Sequence, residues 1–152
     1  MAKVNYARWG GEHNKPGNDG GCFESALKSV MRWGGVLEHP AKTYAWEQYE
    51  IKKPEKGKWT KTNCGGWVCE VWQSAYGHRA NKATWLYCVG DKKPFDMNWE
   101  RPVGGFQIGW QDSRGKEKNK KTLSKKEANS TPLLFAYELI RLVKYLKLNH
   151  RW

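Results

Sequence analysis

Gly66-Trp67-Val68-Cys69-Glu70-Val71-Trp72-Gln73-Ser74-Ala75-Tyr76-Gly77-His78-Arg79-Ala80-Asn81-Lys82-Ala83-Thr84-Trp85-Leu86-Tyr87-Cys88-Val89-Gly90 decides the fold. Trp67, Val68, Val71 and Trp72 make one run rich in β-formers, and residues 84–89 make a second, so two neighbouring strands are expected. The connection between them, residues 74–83, is longer than a tight hairpin needs. It gathers Tyr76, Gly77, His78, Arg79, Asn81 and Lys82 at one end of a buried sheet, where α/β proteins keep their chemistry. The plainer alternative is a solvated hairpin loop whose charges only stay wet.

Around this centre, 152 residues suit one compact domain, and 39% hydrophobic content with ten Trp is enough for a core. Four segments are expected: a loop over 1–20, sheet and helices over 21–90, a basic loop insertion over 91–121, and a helical segment over 122–152. A formal charge of +12, from 27 Lys plus Arg against 15 Asp plus Glu, favours an anionic partner such as nucleic acid through counterion release. No apolar run approaches the roughly 20 residues of a membrane span, and the first residues lack the apolar stretch of a signal peptide. A cytoplasmic protein with no membrane partner is expected. In that compartment Cys22, Cys64, Cys69 and Cys88 should be free thiols, and the sequon Asn129-Ser130-Thr131 carries no meaning. Cys64 and Cys69 are spaced too widely for a zinc knuckle, so no metal site is assigned.

Upstream, Asp19 is placed to cap a helix with Phe23, Ala26, Leu27, Val30 and Met31 on one face, ended by Gly34-Gly35. Val36-Leu37 then reads as a very short strand running into Glu38-His39-Pro40, which puts a carboxylate at a strand tip with a proline fixing the backbone behind it. His39 reads as a surface turn residue. Residues 41–49 should form a short helix, and the Lys-rich stretch 50–63 an exposed loop.

Downstream, residues 91–121 mix glycines and prolines with Phe95, Trp99, Phe106 and Trp110 and end in Arg114, Lys116, Lys118, Lys120 and Lys121. Such a segment either holds phosphates and stacks on bases or is a long surface loop with anchoring aromatics. Ser124 and Glu127 are spaced as a capping box, and Thr131-Pro132 opens the longest helix, which should pack on the sheet and bury much of its length.

The order of these pieces resembles the C-terminal half of a cytosine-5 DNA methyltransferase, in the divergent forms common in bacteriophages. In that family a Glu-Asn-Val or Glu-Asn-Pro tripeptide ends a strand and its acid holds the flipped cytosine, which implies a catalytic Glu38. The Tyr-Gly segment with following basic residues is similar to the family's Gln-x-Arg-x-Arg element, implying DNA contacts from Tyr76, His78, Arg79 and Lys82. The Asn-Ser-Thr-Pro run is similar to the family's last motif beside the methyl-donor pocket, implying S-adenosylmethionine contacts from Asn129 and Ser130. His39 stands where the family has Asn, and the family's two arginines are only partly kept.

The Pro-Cys nucleophile and the Gly-rich donor loop have no counterpart here, although Trp9-Gly10-Gly11 resembles what would follow the first of them. Cys22 is not preceded by proline and is not assigned that role. The resemblance therefore implies an α/β chain, a partial Rossmann-like fold with a small mixed sheet of about three strands and one unfilled edge. It implies a DNA methyltransferase-like fragment without turnover of its own, with DNA and an N-terminal methyltransferase half as partners. The competing readings are a non-catalytic basic nucleic-acid-binding protein or small phage effector, and a structural or inhibitory protein that binds a host protein.

Overall fold

A computed structural model of the protein describes residues 19–108 and 120–146. Trp9-Gly10-Gly11, Trp110, Arg114, Lys116 and Lys118 lie outside the described residues. In chain order the elements are α1 (Cys22–Trp33), β1 (Gly35–Pro40), α2 (Tyr44–Gln48), β2 (Thr60–Lys61), β3 (Trp67–Trp72), a 3-10 turn (Gln73–Tyr76), β4 (Ala83–Val89), β5 (Phe106–Gln107), β6 (Lys121–Thr122), α3 (Lys125–Asn129) and α4 (Leu133–Leu146).

The central strand pair forms as expected, with Cys69 opposite Leu86 and Val68 opposite Tyr87 in an antiparallel ladder. β1 pairs with the other side of β4, and β2 adds to the far side of β3, giving the order β1-β4-β3-β2. The protein is thus mixed α/β, but the main sheet has four strands rather than about three, and its neighbours all run antiparallel. The expected mixed sheet is corrected on that point: β1 and β3 share a direction but β4 separates them, and parallel pairing among the described residues lies in the small β5–β6 sheet and a bridge between Ala80 and Phe106. Among the described residues no strand pairs with the outer edge of β1.

Side chains alternate across a strand, so the register sorts the sheet into two faces. One carries Val36, Glu38, Thr84, Leu86, Cys88, Cys69 and Val71, and its apolar members pack with Phe135, Leu142 and Leu146 of α4. The other carries Leu37, His39, Trp85, Tyr87 and Val68 and packs under Phe23, Leu27, Trp46 and Ile51. Helices cover both faces. Each large side chain buried this way stabilises the fold by about 1.5–3 kcal/mol. The Trp46 indole is fully buried and pairs its N–H with the Pro40 carbonyl at 2.9 Å, so it adds area without an unpaired donor.

Local chemistry sets the ends of the helices. The Asp19 carboxylate accepts from the N–H groups of Gly21 (3.0 Å) and Phe23 (2.9 Å), and Gly34 stops α1 at φ 78° while donating to Val30. Ser124 accepts from the Glu127 N–H and Glu127 from the Ser124 N–H, the reciprocal capping box the spacing predicts.

Four expectations are revised. β1 runs through to Pro40, so Glu38 lies within the strand opposite Leu86 rather than at its tip. His39 is not a surface turn residue: its ring packs 4.8 Å from Phe23 and 5.8 Å from Trp46, and burial pulls its pKa down. The stretch 50–63 is not simply an exposed loop, because Ile51 and Trp59 are buried in the two cores and β2 forms within it. α4 buries one row, Phe135, Leu142 and Leu146, while Leu133, Leu134, Tyr137 and Ile140 are more than half exposed.

Candidate functional site

The site is the rim where β1, the crossover after β3 and the segment before α4 meet. Glu38 projects from β1 on the α4 side, and its Oε1 accepts from Gln73 Nε2 at 3.3 Å. Gln73 opens the 3-10 turn and also donates to Thr84 Oγ1 at 2.9 Å on β4. Lys82, at the other end of the crossover, donates through Nζ to the Ser130 carbonyl at 3.1 Å. Acid, crossover and Asn-Ser-Thr-Pro segment are therefore brought together.

Electrostatics couples these groups. Burial raises the pKa of Glu38, opposed by the positive charge of Lys82. Burial lowers that of Lys82, opposed by Glu38. Each group thus offsets part of the desolvation of the other. The result is a carboxyl readier to hold a proton than a solvated glutamate.

That shift fixes a sign for stability. A carboxyl whose pKa is higher folded than unfolded stabilises the fold fully below its unfolded pKa, and the contribution is lost as pH rises through the folded value. Glu38→Gln removes the ionisation, so the variant should melt at a higher temperature than the wild type at neutral pH. The difference should shrink to nothing below the ordinary carboxylate range. Paired thermal melts across that range check it, and a variant less stable than wild type at neutral pH would contradict it.

Of the residues the sequence singles out, the structure separates two from the rim. Tyr76 is buried, with its ring 5.0 Å from Phe135, its hydroxyl accepting from the Asn98 N–H at 3.0 Å, and its pKa pushed up to about 12 by burial. It anchors the turn to α4 and presents no surface to DNA. His78 is also buried, and its Nδ1 accepts from the Ala80 N–H at 3.1 Å, closing the crossover on itself. The expectation of DNA contacts from Tyr76 and His78 is corrected: the 3-10 turn carries one inward and a local ring-to-backbone bond holds the other.

Arg79 does face solvent. Its guanidinium lies 3.9 Å from the Phe106 ring centroid and 2.9 Å from Glu127 Oε1. An ion pair this exposed is screened by water and salt, so an incoming phosphate can take the arginine over. Residues 102–106 clamp the crossover from outside. Gly104 donates to Asn81 Oδ1 at 2.6 Å, Ser74 donates to the Pro102 carbonyl at 2.9 Å, and Phe106 donates to the Arg79 carbonyl at 3.2 Å. A Cβ on Gly104 would stand 2.5 Å from the Arg79 carbonyl oxygen, so the approach requires glycine.

Asn129 ends α3 and is exposed; Ser130 donates its hydroxyl to the Glu127 carbonyl at 2.7 Å while its own carbonyl takes Lys82. Both Ser130 groups are thus already engaged by partners within the chain. Among the described residues, Asn129 and Ser130 do not by themselves make a complete pocket for S-adenosylmethionine. Cys69 and Cys88 sit in the core with burial pushing both thiols up, the latter to about 12, so neither has the character of a nucleophile. Among the described residues no three of His, Cys, Asp and Glu group as metal ligands would, and no helix is long and apolar enough to cross a membrane.

Gln73 and Thr84 were not singled out by their sequence. The signal available was two polar side chains flanking the crossover, at positions where the β-pattern asks for apolar ones. Both are fully buried.

Compared with known proteins, the chain matches no family model, no curated protein and no solved structure.

Proposed function

We propose that the chain supplies the target-base and DNA-facing part of a cytosine-5 DNA methyltransferase-like protein and is without turnover until a second polypeptide adds the donor loop and the nucleophile. The observation that carries this is the Glu38 carboxyl, half-buried at the rim, held by Gln73 and set beside Lys82 and the Ser130 segment. Cytosine offers an amino donor next to a ring nitrogen that accepts. A carboxyl that keeps a proton more readily than usual matches both, accepting from the amino group with one oxygen and donating to the ring nitrogen with the other. Lys82 and Arg79 lie alongside to meet the phosphates, which fits the formal charge of +12.

The open edge of the sheet fits the same reading, while the antiparallel pairing of its strands is not that of a parallel Rossmann-like sheet. β1, which bears the acid, pairs on one side with β4 and leaves its other edge without a strand among the described residues, where the complete fold would insert one from the other half. Attack on carbon 6 needs a thiolate, and none of the four cysteines is assigned to it, so the reaction step belongs to the partner.

The test is reconstitution. With labelled S-adenosylmethionine and duplex DNA, the chain alone should transfer no methyl group. Mixed or co-expressed with a polypeptide carrying a Gly-rich donor loop and a Pro-Cys motif, it should restore transfer to cytosine. Transfer by the chain alone would contradict the proposal, as would transfer by the partner that is the same with and without this chain.

A further inference from the structure

The amide of Gln73 is a costly thing to bury. Its side chain is fully inaccessible, Nε2 donates to both Glu38 Oε1 (3.3 Å) and Thr84 Oγ1 (2.9 Å), and Oε1 is buried without a partner among the described residues. Thr84 directs its own hydroxyl hydrogen to the Lys82 carbonyl at 3.5 Å, so its oxygen is left to accept. That fixes which way the amide points: nitrogen toward the acid and the threonine. The main chain of Gln73 is tied as firmly, donating to the Lys82 carbonyl at 3.0 Å and accepting from the His78 N–H at 3.0 Å. One residue thus closes the base of the crossover and reaches the carboxyl on the neighbouring strand.

We infer that Gln73 is the positioning residue of this site, its buried amide locking the Glu38 carboxyl in register with β4 and the crossover so that Oε2 faces the ring nitrogen while Oε1 keeps a lone pair for the amino group. The inference rests on the base-binding reading above. A hydrophobic residue would fill the same space without leaving Oε1 unpaired, so packing alone does not account for glutamine here. The amide favours the charged carboxylate by donating to it, in opposition to burial, and Lys82 is the charge acting on the same group. Gln73 therefore moderates the proton affinity of the acid as well as aiming it.

The experiment is a carboxyl carbon NMR titration of Glu38 in the intact chain. In Gln73→Met, which keeps the length and removes the donor, the Glu38 midpoint should move up. In Gln73→Glu, which puts a like charge in the same place, it should move up further. A folded Gln73→Met protein with an unchanged midpoint overturns the inference. Should Gln73→Met fail to fold, the wild type gives the answer: the Gln73 side-chain amide signals should shift through the Glu38 midpoint and lose that shift in Glu38→Gln, and signals flat through that midpoint overturn it. If the midpoint moves but the reconstituted pair transfers no methyl group even with the wild-type chain, positioning stands and the base-binding reading falls; equal transfer with wild type and Gln73→Met would instead overturn the aiming of the acid.

Discussion

Glu38→Gln should lower methyl transfer by the reconstituted pair by roughly 10³-fold, in the range found when one preorganised polar group is removed from a transition-state site. The substitution keeps the shape of the side chain and its bond from Gln73, since an amide oxygen also accepts, but it removes the proton that a carboxyl shares with a cytosine ring nitrogen. DNA affinity should hardly change, because phosphate contacts from Arg79, Lys82 and the other cations supply most of it. A basic binding module would show no dependence on Glu38 in any DNA-binding assay. The same variant is expected to be the more stable protein at neutral pH, and an acid retained at a cost in stability is the usual mark of a working group. Rate and melting temperature measured on one preparation test both statements, and a variant as active as wild type would remove Glu38 from the site.

The second large effect concerns the fold that holds the rim. Phe135 is fully buried in the core between α4 and the sheet, 5.0 Å from the Tyr76 ring that closes the 3-10 turn. Phe135→Ala should cost about 3–5 kcal/mol, the range for emptying a buried aromatic position, against a total of about 5–15 kcal/mol for a domain of this class. The loss should not be uniform. Tyr76 positions Gln73 through the turn they share, so amide hydrogen exchange should rise across the 3-10 turn and crossover as well as in α4, while α1 and α2, packed on the other face, should keep their relative protection. Chemical unfolding gives the first number and exchange the second. A loss under 1 kcal/mol, or exchange confined to α4, would mean that the helix does not brace the crossover.

Much of the scaffold is legible in the residues, and the reason is local chemistry. Trp67, Val71, Trp85 and Tyr87 announce two strands because aromatic and β-branched side chains suit a pleated surface, and Asp19, Ser124 and Thr131-Pro132 announce helix starts because their oxygens or fixed φ answer the needs of a first turn. Two-residue strands are another matter. β2, β5 and β6 have no periodicity of their own and exist through pairing, β2 with the nearby start of β3 and β5 and β6 with each other. Pro40 fixes the backbone behind Glu38 without placing the acid at the strand tip, because proline at the last position of an edge strand loses no ladder bond and β1 runs on past the acid. Apolar residues all round α4 could not say which row is buried.

The site was legible in part. Glu38, Lys82 and Ser130 are brought together because the sheet register sets β1 beside the start of β4. Tyr76 and His78 misled because polar names at a crossover suggest exposure, whereas a 3-10 turn of four residues rotates one into the core and a ring nitrogen bonded two residues on holds the other there. Gln73 escaped for the opposite reason: its role depends on a bond to a residue 35 positions away, which no local pattern encodes.

Photo-crosslinking to single-stranded DNA bearing 5-iododeoxycytidine, with the adducts mapped by mass spectrometry, tests the shared rim most directly, since no base has to be flipped for the contact to form. Adducts on β1 near Glu38, on the crossover at 79–82 or on residues 129–132, reduced in Glu38→Gln, are the expected result. Adducts concentrated on the α1 and α2 face, with the rim unlabelled and Glu38→Gln without effect, would contradict it.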